Sequence, residues 1–526
     1  MNLVAGKVEA PKPLTTEHRR DWRVVVEVGL VFAVFFLQGA SPVPEVNEPY
    51  YLGKAIHFWN PELAAGDFFL TTADSHQTFY FTFGWLSLWL PPLVLAWVGR
   101  LLTWGLLAWA WQRLSFALVP RRWFSILTAA LFVGLLERYH MAGEWVIGGV
   151  EAKGFAYVLV FLGLEALVRG RWNRMWLLLG AASAFHVLVG GWSVVAAGIG
   201  WLVLGSERPS LRSMLPALAG GFLLSLPGLV PALQLTWGVD AETVRQANIL
   251  YVFERLYHHL DPVSLPTSFL YRFLGMVGLL VVLDWLSPAD VPRRRLRWFT
   301  YGALAIAAAG MAIGFWVTDE ALRAGLLRFY WFRLSDVVVP LAVALLTARG
   351  IAHLLATRPR LGKAALALAT VAAGIHVGAY ALIRPLPMVP RADVDRVAYQ
   401  PWCEACAWIV ESGQIPPNAR FLTPILAQTF KWYTGRTEVA NWKDVPQDAR
   451  SLLAWRDRVQ DICPGLLIDP AADDSSLADE AEEHLRQVAA KYQVDYILTS
   501  GWPPLSLDVV YENDAYVIYR MPKTKD

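Results

Sequence analysis

Charge is scarce in this 526-residue chain: 17% of its residues are Asp, Glu, Lys or Arg, 56% are hydrophobic, and the mean hydropathy is +0.38. Such a balance excludes an ordinary soluble protein of this length. Cysteine is nearly missing, and three residues, Cys403, Cys406 and Cys463, are too few for a disulfide framework. Cys403 and Cys406 form a C-x-x-C without a fourth zinc ligand or a preceding strand, which leaves a local disulfide or buried thiols. There is no G-x-x-x-x-G-K-[ST] phosphate loop, no other nucleotide motif and no internal repeat. No small-residue cleavage site follows the first apolar run, so that run reads as an anchor helix and not as a signal peptide. A net charge of +2 says little, because in a membrane protein the placement of Lys and Arg carries the information; no nucleic-acid partner is expected.

What is present is a series of long apolar runs. After an anchor over 24–38, spans are expected at 92–118, 123–140, 152–168, 175–189, 191–204, 213–235, 268–286, 298–317, 325–347 and 364–384. That makes about eleven crossings of roughly 17 to 25 residues each. With this assignment the basic clusters fall on one side: Arg121 and Arg122; Arg169, Arg171 and Arg174; Arg208 and Arg212; Arg293 to Arg297; Arg349, Arg358, Arg360 and Lys363. The opposite loops are acidic, carrying Glu137, Glu144 and Glu151, then Asp240, Glu242, Glu254 and Asp261, then Asp319 and Glu320. By the positive-inside rule the basic side is cytoplasmic, and so is the N-terminus with Arg19, Arg20 and Arg23. The chain reads as a multi-pass protein of the cytoplasmic (inner) membrane with its C-terminal part outside. Pro91 and Pro92 make 78–91 an interfacial or re-entrant segment before the second span, and the pair of short spans over 175–204 is expected to turn at Gly190 and Gly191.

From 385 onward no stretch reaches spanning length. CEACAWIVESGQ and LADEAEEHLRQVAAKY have helical periodicity, ARFLTPI and VDYILTS read as strands, and VVYENDAYVIYRM reads as a hairpin turning at Asn513 and Asp514. The expected organisation is an all-α membrane domain over 1–384, with a long first outer loop at 41–78, and a soluble mixed α/β domain over 385–526.

That first outer loop concentrates the polar chemistry. It carries Glu45, Glu48, Glu62, Asp67 and Asp74, with His57 and His76 and the rings of Tyr50, Tyr51, Phe58, Trp59, Phe68 and Phe69. Carboxylates held against a bilayer are costly unless solvated or paired, so the loop reads as the rim of an active site, against the plainer reading of solvated loop charges. In the second outer loop Glu144, Glu151 and Lys153 either neutralise one another or line the same pocket. Arg328 and Arg333 are candidates for holding a phosphate, since the planar guanidinium matches its oxygens; the alternative is that Arg333 pairs with Asp336 three residues on. His186 lies near the outer end of a short span, where an imidazole either joins the pocket or bonds a neighbouring helix. Asp74 and His76 with His140, His258 and His259 leave a divalent metal open, but no spacing is diagnostic and no metal ligand is assigned.

The run Asn47-Glu48-Pro49-Tyr50-Tyr51 behind the first span resembles the D-E-P-x-Y motif in the first outer loop of membrane glycosyltransferases of the C-type (GT-C) fold, among them the aminoarabinose and protein mannosyl transferases. Span count, orientation and an outer C-terminal domain are similar too. The segments FLTP, GRTEVANWKDVP and YENDAYVIYR resemble outer domains of uncharacterised bacterial members of that type. The resemblance implies transfer of a sugar from a polyprenyl-phosphate donor to an envelope glycan, lipid or protein acceptor on the outer face. Where the family carries its first acidic residue this chain has Asn47, so Glu48, Asp67 or Asp74 would be the catalytic carboxylate, with Glu48 nearest. Tyr50, Tyr51, His76, Glu144, Glu151, Lys153, His186, Arg328 and Arg333 are the expected substrate-binding residues. A transporter or flippase of a lipid-linked or small polar substrate, or a non-catalytic envelope-binding scaffold, are the alternatives.

Overall fold

A computed structural model describes residues 22–383, 388–465 and 476–522. The N-terminal cluster with Arg19 and Arg20, and the proposed domain boundary between 384 and 385, lie outside the described residues.

The chain begins with α1 (Trp22–Gly39), and the first outer loop then forms α2 (Glu48–Trp59) and the short α3 (Gln77–Thr82). The bundle continues through α4 (Pro92–Leu118), α5 (Phe124–Tyr139), α6 (Ala152–Val168), α7 (Trp172–Phe185), α8 (Val187–Val203) and α9 (Leu211–Gln234). An excursion follows, made of α10 (Ala241–Ile249), a single π-turn over Leu250–Arg255 and α11 (Tyr257–Leu260). Then come α12 (Thr267–Leu286), α13 (Val291–Trp316), the short α14 (Glu320–Leu327), α15 (Arg333–Thr357) and α16 (Pro359–Ile383). A helix stands at each of the eleven expected spans. Seven of them, α1, α4, α9, α12, α13, α15 and α16, are long and apolar enough to cross a membrane; α5 to α8 are shorter, at 14 to 17 residues.

Local chemistry explains the boundaries. Pro92 opens α4, a position where its missing N–H would have had no helical partner anyway. Ahead of it Phe81, Trp85, Leu88 and Trp89 are exposed. The expected turn at Gly190 and Gly191 is corrected: the chain breaks at His186, and Gly190 lies inside α8. A Cβ on Gly190 would come within 2.2 Å of the Ser183 backbone nitrogen, so its role is close approach of α8 to the end of α7. The tenth span starts at Arg333, later than expected, because the chain bends at Tyr330, which adopts φ +53°.

The C-terminal part holds a five-stranded sheet in the order β2-β1-β3-β5-β4, formed by β1 (Arg420–Leu422), β2 (Thr437–Glu438), β3 (Tyr496–Ser500), β4 (Asp508–Glu512) and β5 (Tyr516–Arg520). β1 runs parallel to β2 and β3, while β3, β5 and β4 are antiparallel. Strand alternation separates two cores. Phe421, Tyr496, Leu498 and Ile518 pack with α17 (Tyr399–Glu411) and α18 (Phe430–Thr434), whereas Leu422, Ile497 and Val517 pack with α19 (Ala449–Ile462) and α20 (Glu482–Tyr492). This domain sits on the end of the bundle that bears α2: Ser75 Oγ donates to Gln447 Oε1 (2.9 Å), the Glu438 N–H donates to Asp67 (3.2 Å), and the Ala449 N–H donates to the Leu235 carbonyl (3.3 Å).

Candidate functional site

A cavity of about 700 Å³ lies at this end, between the bundle and the C-terminal domain. The first loop, the 140–151 loop, the start of α8, the end of α9, the 251–259 excursion, the 328–333 bend and the 443–447 turn all contribute to its wall. Every loop that the sequence marks as acidic and outer, apart from Asp319 and Glu320, therefore supplies a residue or a neighbour of one.

All nine expected substrate-binding residues, Tyr50, Tyr51, His76, Glu144, Glu151, Lys153, His186, Arg328 and Arg333, line this cavity. Along one wall runs a chain of charge. Asn47 Nδ2 donates to Glu151 (2.7 Å), Lys153 bridges Glu151 (3.4 Å) and Glu144 (3.5 Å), and Arg333 Nε meets Glu144 (2.9 Å) while its Nη1 donates to His186 Nε2 (3.0 Å). Burial raises the Glu151 carboxyl above its ordinary range, with Lys153 and Asn47 opposing. The Arg333–Asp336 pairing is corrected: Asp336 instead accepts from the backbone N–H groups of Met141 and Ala142, both at 2.8 Å, and Arg333 turns to Glu144.

The three expected catalytic carboxylates do not line the cavity. Glu48 is fully buried, and both of its oxygens are taken by Arg100, through Nε and Nη2 at 2.7 Å each, with the Val150 and Glu45 N–H groups adding further bonds. Asp67 lies under the C-terminal domain, where Lys431 is surrounded by Asp67 (3.6 Å), Glu438 (2.9 Å) and Asp444 (2.6 Å). Asp74 stands one layer behind the wall, 2.8 Å from His76 Nδ1. The adjacent residues thus divide, with Asn47 lining the cavity and Glu48 turned away from it.

Sequence reading missed Arg255, Arg391, Lys443, Gln447 and the pair Tyr251–Tyr330, whose hydroxyls meet at 3.1 Å. The wall holds Lys153, Arg255, Arg328, Arg333, Arg391 and Lys443 against Glu45, Glu137, Glu144 and Glu151, six cations to four anions. Arg255 donates to the Trp442 carbonyl (3.0 and 3.2 Å) and Arg328 to Asn248 Oδ1 (2.6 Å), both neutral acceptors. Among the described residues Lys443 Nζ has no carboxylate in ion-pair range; burial and then the neighbouring Arg255 push it down to about 8. Among the described residues, Arg255, Arg328 and Lys443 thus stand in the cavity wall without a carboxylate partner.

Among the described residues no group of three or more His, Cys, Asp or Glu side chains could hold a metal ion. His259 Nδ1 lies 2.6 Å from the Ala142 carbonyl. Cys403 and Cys406 are free thiols, and Cys406 and Cys463 are buried.

Residues 400–462, which include the 443–447 turn, match a domain of unknown function (DUF6798). No curated protein matches the chain. Its structure is similar to the oligosaccharyltransferase of Archaeoglobus fulgidus. For the crystal structure in complex with zinc and sulfate, identity is 12% over 91% of this chain and 68% of that one, with a TM-score of 0.40; for the apo form the values are 11%, 92%, 70% and 0.41.

Proposed function

We propose that this chain is a membrane glycosyltransferase that takes a sugar from a polyprenyl-phosphate donor and transfers it to a hydroxyl acceptor on the outer face of the membrane. The observation that carries the reading is the set of cations without carboxylate partners, Arg255, Arg328 and Lys443, in a cavity that also has aromatic and apolar walls. A lipid-linked sugar phosphate offers those three chemistries in one molecule: an anion for the cations, a ring for Tyr50, Tyr51 and Tyr330, and an apolar tail. Leu229, Ala232 and Leu233 at the end of α9 extend the cavity toward the lipid-facing surface, where Leu233 is exposed. The phosphate leaves as a stable anion that the cations stabilise further. The motif-like run Asn47-Glu48-Pro49-Tyr50-Tyr51 and the basic inner loops favour the same reading, with the C-terminal domain outside.

The test compares decaprenyl phosphate with decaprenol on the full chain in lipid nanodiscs. The phosphate should raise the unfolding temperature more than the alcohol, and Arg328→Gln or Lys443→Gln should shrink the difference. Equal stabilisation by the two lipids would end the phosphate assignment, and absence of sugar release from every polyprenyl-phosphate hexose tried would end the transferase assignment.

A further inference from the structure

We propose that His76, oriented by Asp74, is the general base of this site, an inference that rests on the transferase reading above. Asp74 Oδ1 accepts from the His76 backbone N–H at 2.6 Å and lies 2.8 Å from its Nδ1. Gln447 Nε2 also lies 3.2 Å from Nδ1, but it has the Tyr50 hydroxyl as an acceptor at 3.3 Å, and the nearer ionised carboxylate only accepts, so the proton of the neutral ring sits on Nδ1 and Nε2 keeps a free lone pair. Burial works against ionisation of Asp74, but His76 and Lys54, whose Nζ is 4.0 Å away, outweigh it and hold the carboxyl well below the usual range. The ring is fixed on its flanks by Tyr51, edge-on at 5.1 Å between centroids, and by His186 at 5.4 Å. Gln447 of the C-terminal domain locks the neighbouring Ser75 through both its N–H (3.2 Å) and its hydroxyl (2.9 Å).

Among the described residues the other cavity groups are committed or unsupported: Glu45 pairs with Arg391 (3.3 Å), Glu137 accepts from Gln38 (3.1 Å), and His140 has no carboxylate in ion-pair range. Glu151 and Glu144 are committed to Lys153, Asn47 and Arg333. His186 Nε2 accepts from Arg333. His259 has no carboxylate behind it, and burial followed by the adjacent His258 pulls it down to about 3, which makes it a weak base. In the step, the acceptor O–H gives its proton to His76 Nε2 as the acceptor oxygen bonds the anomeric carbon. The bond from that carbon to the phosphate oxygen breaks, and its electron pair leaves with the lipid phosphate. Asp74 is a positioning residue that stabilises the imidazolium formed.

The experiment uses the full chain in nanodiscs with synthetic polyprenyl-phosphate glucose, mannose and galactose as probes, and reads sugar release. His76→Ala should lower turnover by roughly 100-fold or more with little change in half-saturation by donor, and added imidazole should restore part of the loss, which a structural role would not allow. Asp74→Asn should lower kcat while KM is retained, and His76→Gln, checked for wild-type unfolding temperature, guards against a folding defect. Full turnover in His76→Ala beside loss in Glu151→Gln would transfer the role to Glu151 and overturn the proposal while leaving the transferase reading intact. A second arm needs no substrate: diethyl pyrocarbonate should acylate His76 and spare His186. An unlabelled His76 would show that Nε2 is not free, and would overturn the dyad whether or not any donor is turned over.

Discussion

Arg100 grips Glu48 through two parallel hydrogen bonds of 2.7 Å, with both side chains fully buried and 52 positions apart in the chain. A third guanidinium nitrogen of Arg100 donates to the Ser41 carbonyl at 2.6 Å, so one side chain fixes both the exit of α1 and the start of α2. Glu48 is therefore a clamp on the loop that shapes the cavity. Glu48→Gln leaves a buried guanidinium without its counter-charge, which typically costs about 3–5 kcal/mol. The variant should show a clearly lowered unfolding temperature or poor yield, and Arg100→Met added to it should recover part of the loss. A Glu48→Gln protein with normal stability and abolished sugar release would return Glu48 to the role of base.

This pair marks where the sequence was legible and where it was not. Apolar runs of spanning length announce helices directly, and charge placement sorted the loops that meet at the cavity, so residues as far apart as Tyr50 and Arg333 were recognised as belonging together. The partner of a given charge was not readable, because pairing across the bundle leaves no trace in local spacing. Arg100 carried a usable signal: an arginine inside an apolar span needs a buried acceptor, and the loop just before it held the acids. Arg333 and Asp336 misled for the opposite reason, since helical spacing suggested a pair while the unsatisfied N–H groups of the 141–144 loop held the stronger claim on Asp336. Gln447 lies 372 positions from Ser75, which it meets, and only the docking of the C-terminal domain brings it and Lys443 to the cavity.

Asp336 is expected to control the shape of the loop between α5 and α6. It accepts two backbone N–H groups at 2.8 Å from the loop that carries Glu144. Asp336→Ala strands those buried donors at about 1–3 kcal/mol each, so hydrogen exchange over 141–146 should rise sharply. Unchanged protection of that segment would mean the loop is held elsewhere.

The Lys431 cluster should make stability depend on pH. Burial pushes Asp444 up to about 6 against the opposing pull of Lys431, with Glu438 adding to the rise. The folded protein then holds more protons than the unfolded chain between about 4 and 6, so the contribution of Asp444 is present below that window and is lost as pH rises through it. The unfolding temperature of wild type should fall across that window relative to Asp444→Asn, and the variant should be at least as stable at neutral pH. Parallel curves for the two proteins would count against this assignment.

Lys443 gives the sharpest test of the anion surface. Burial and Arg255 hold its ammonium down to about 8, so near that pH an appreciable fraction is neutral in the empty cavity. A bound phosphate favours the charged form, and binding must therefore take up a proton as pH rises through this value. Affinity for decaprenyl phosphate should be flat with respect to Lys443 below about pH 7 and should weaken progressively above about 8. Lys443→Arg keeps its charge throughout and should flatten the upper limb, although the guanidinium does not reproduce the point charge of an ammonium. Lys443→Gln should weaken binding at neutral pH by roughly 10-fold or more, the worth of one charge-assisted hydrogen bond of about 1.5–3 kcal/mol, and should abolish the same limb. A limb that persists unchanged in Lys443→Gln would assign the titration to another group and remove Lys443 from the phosphate site, leaving Arg255 and Arg328 to hold the anion.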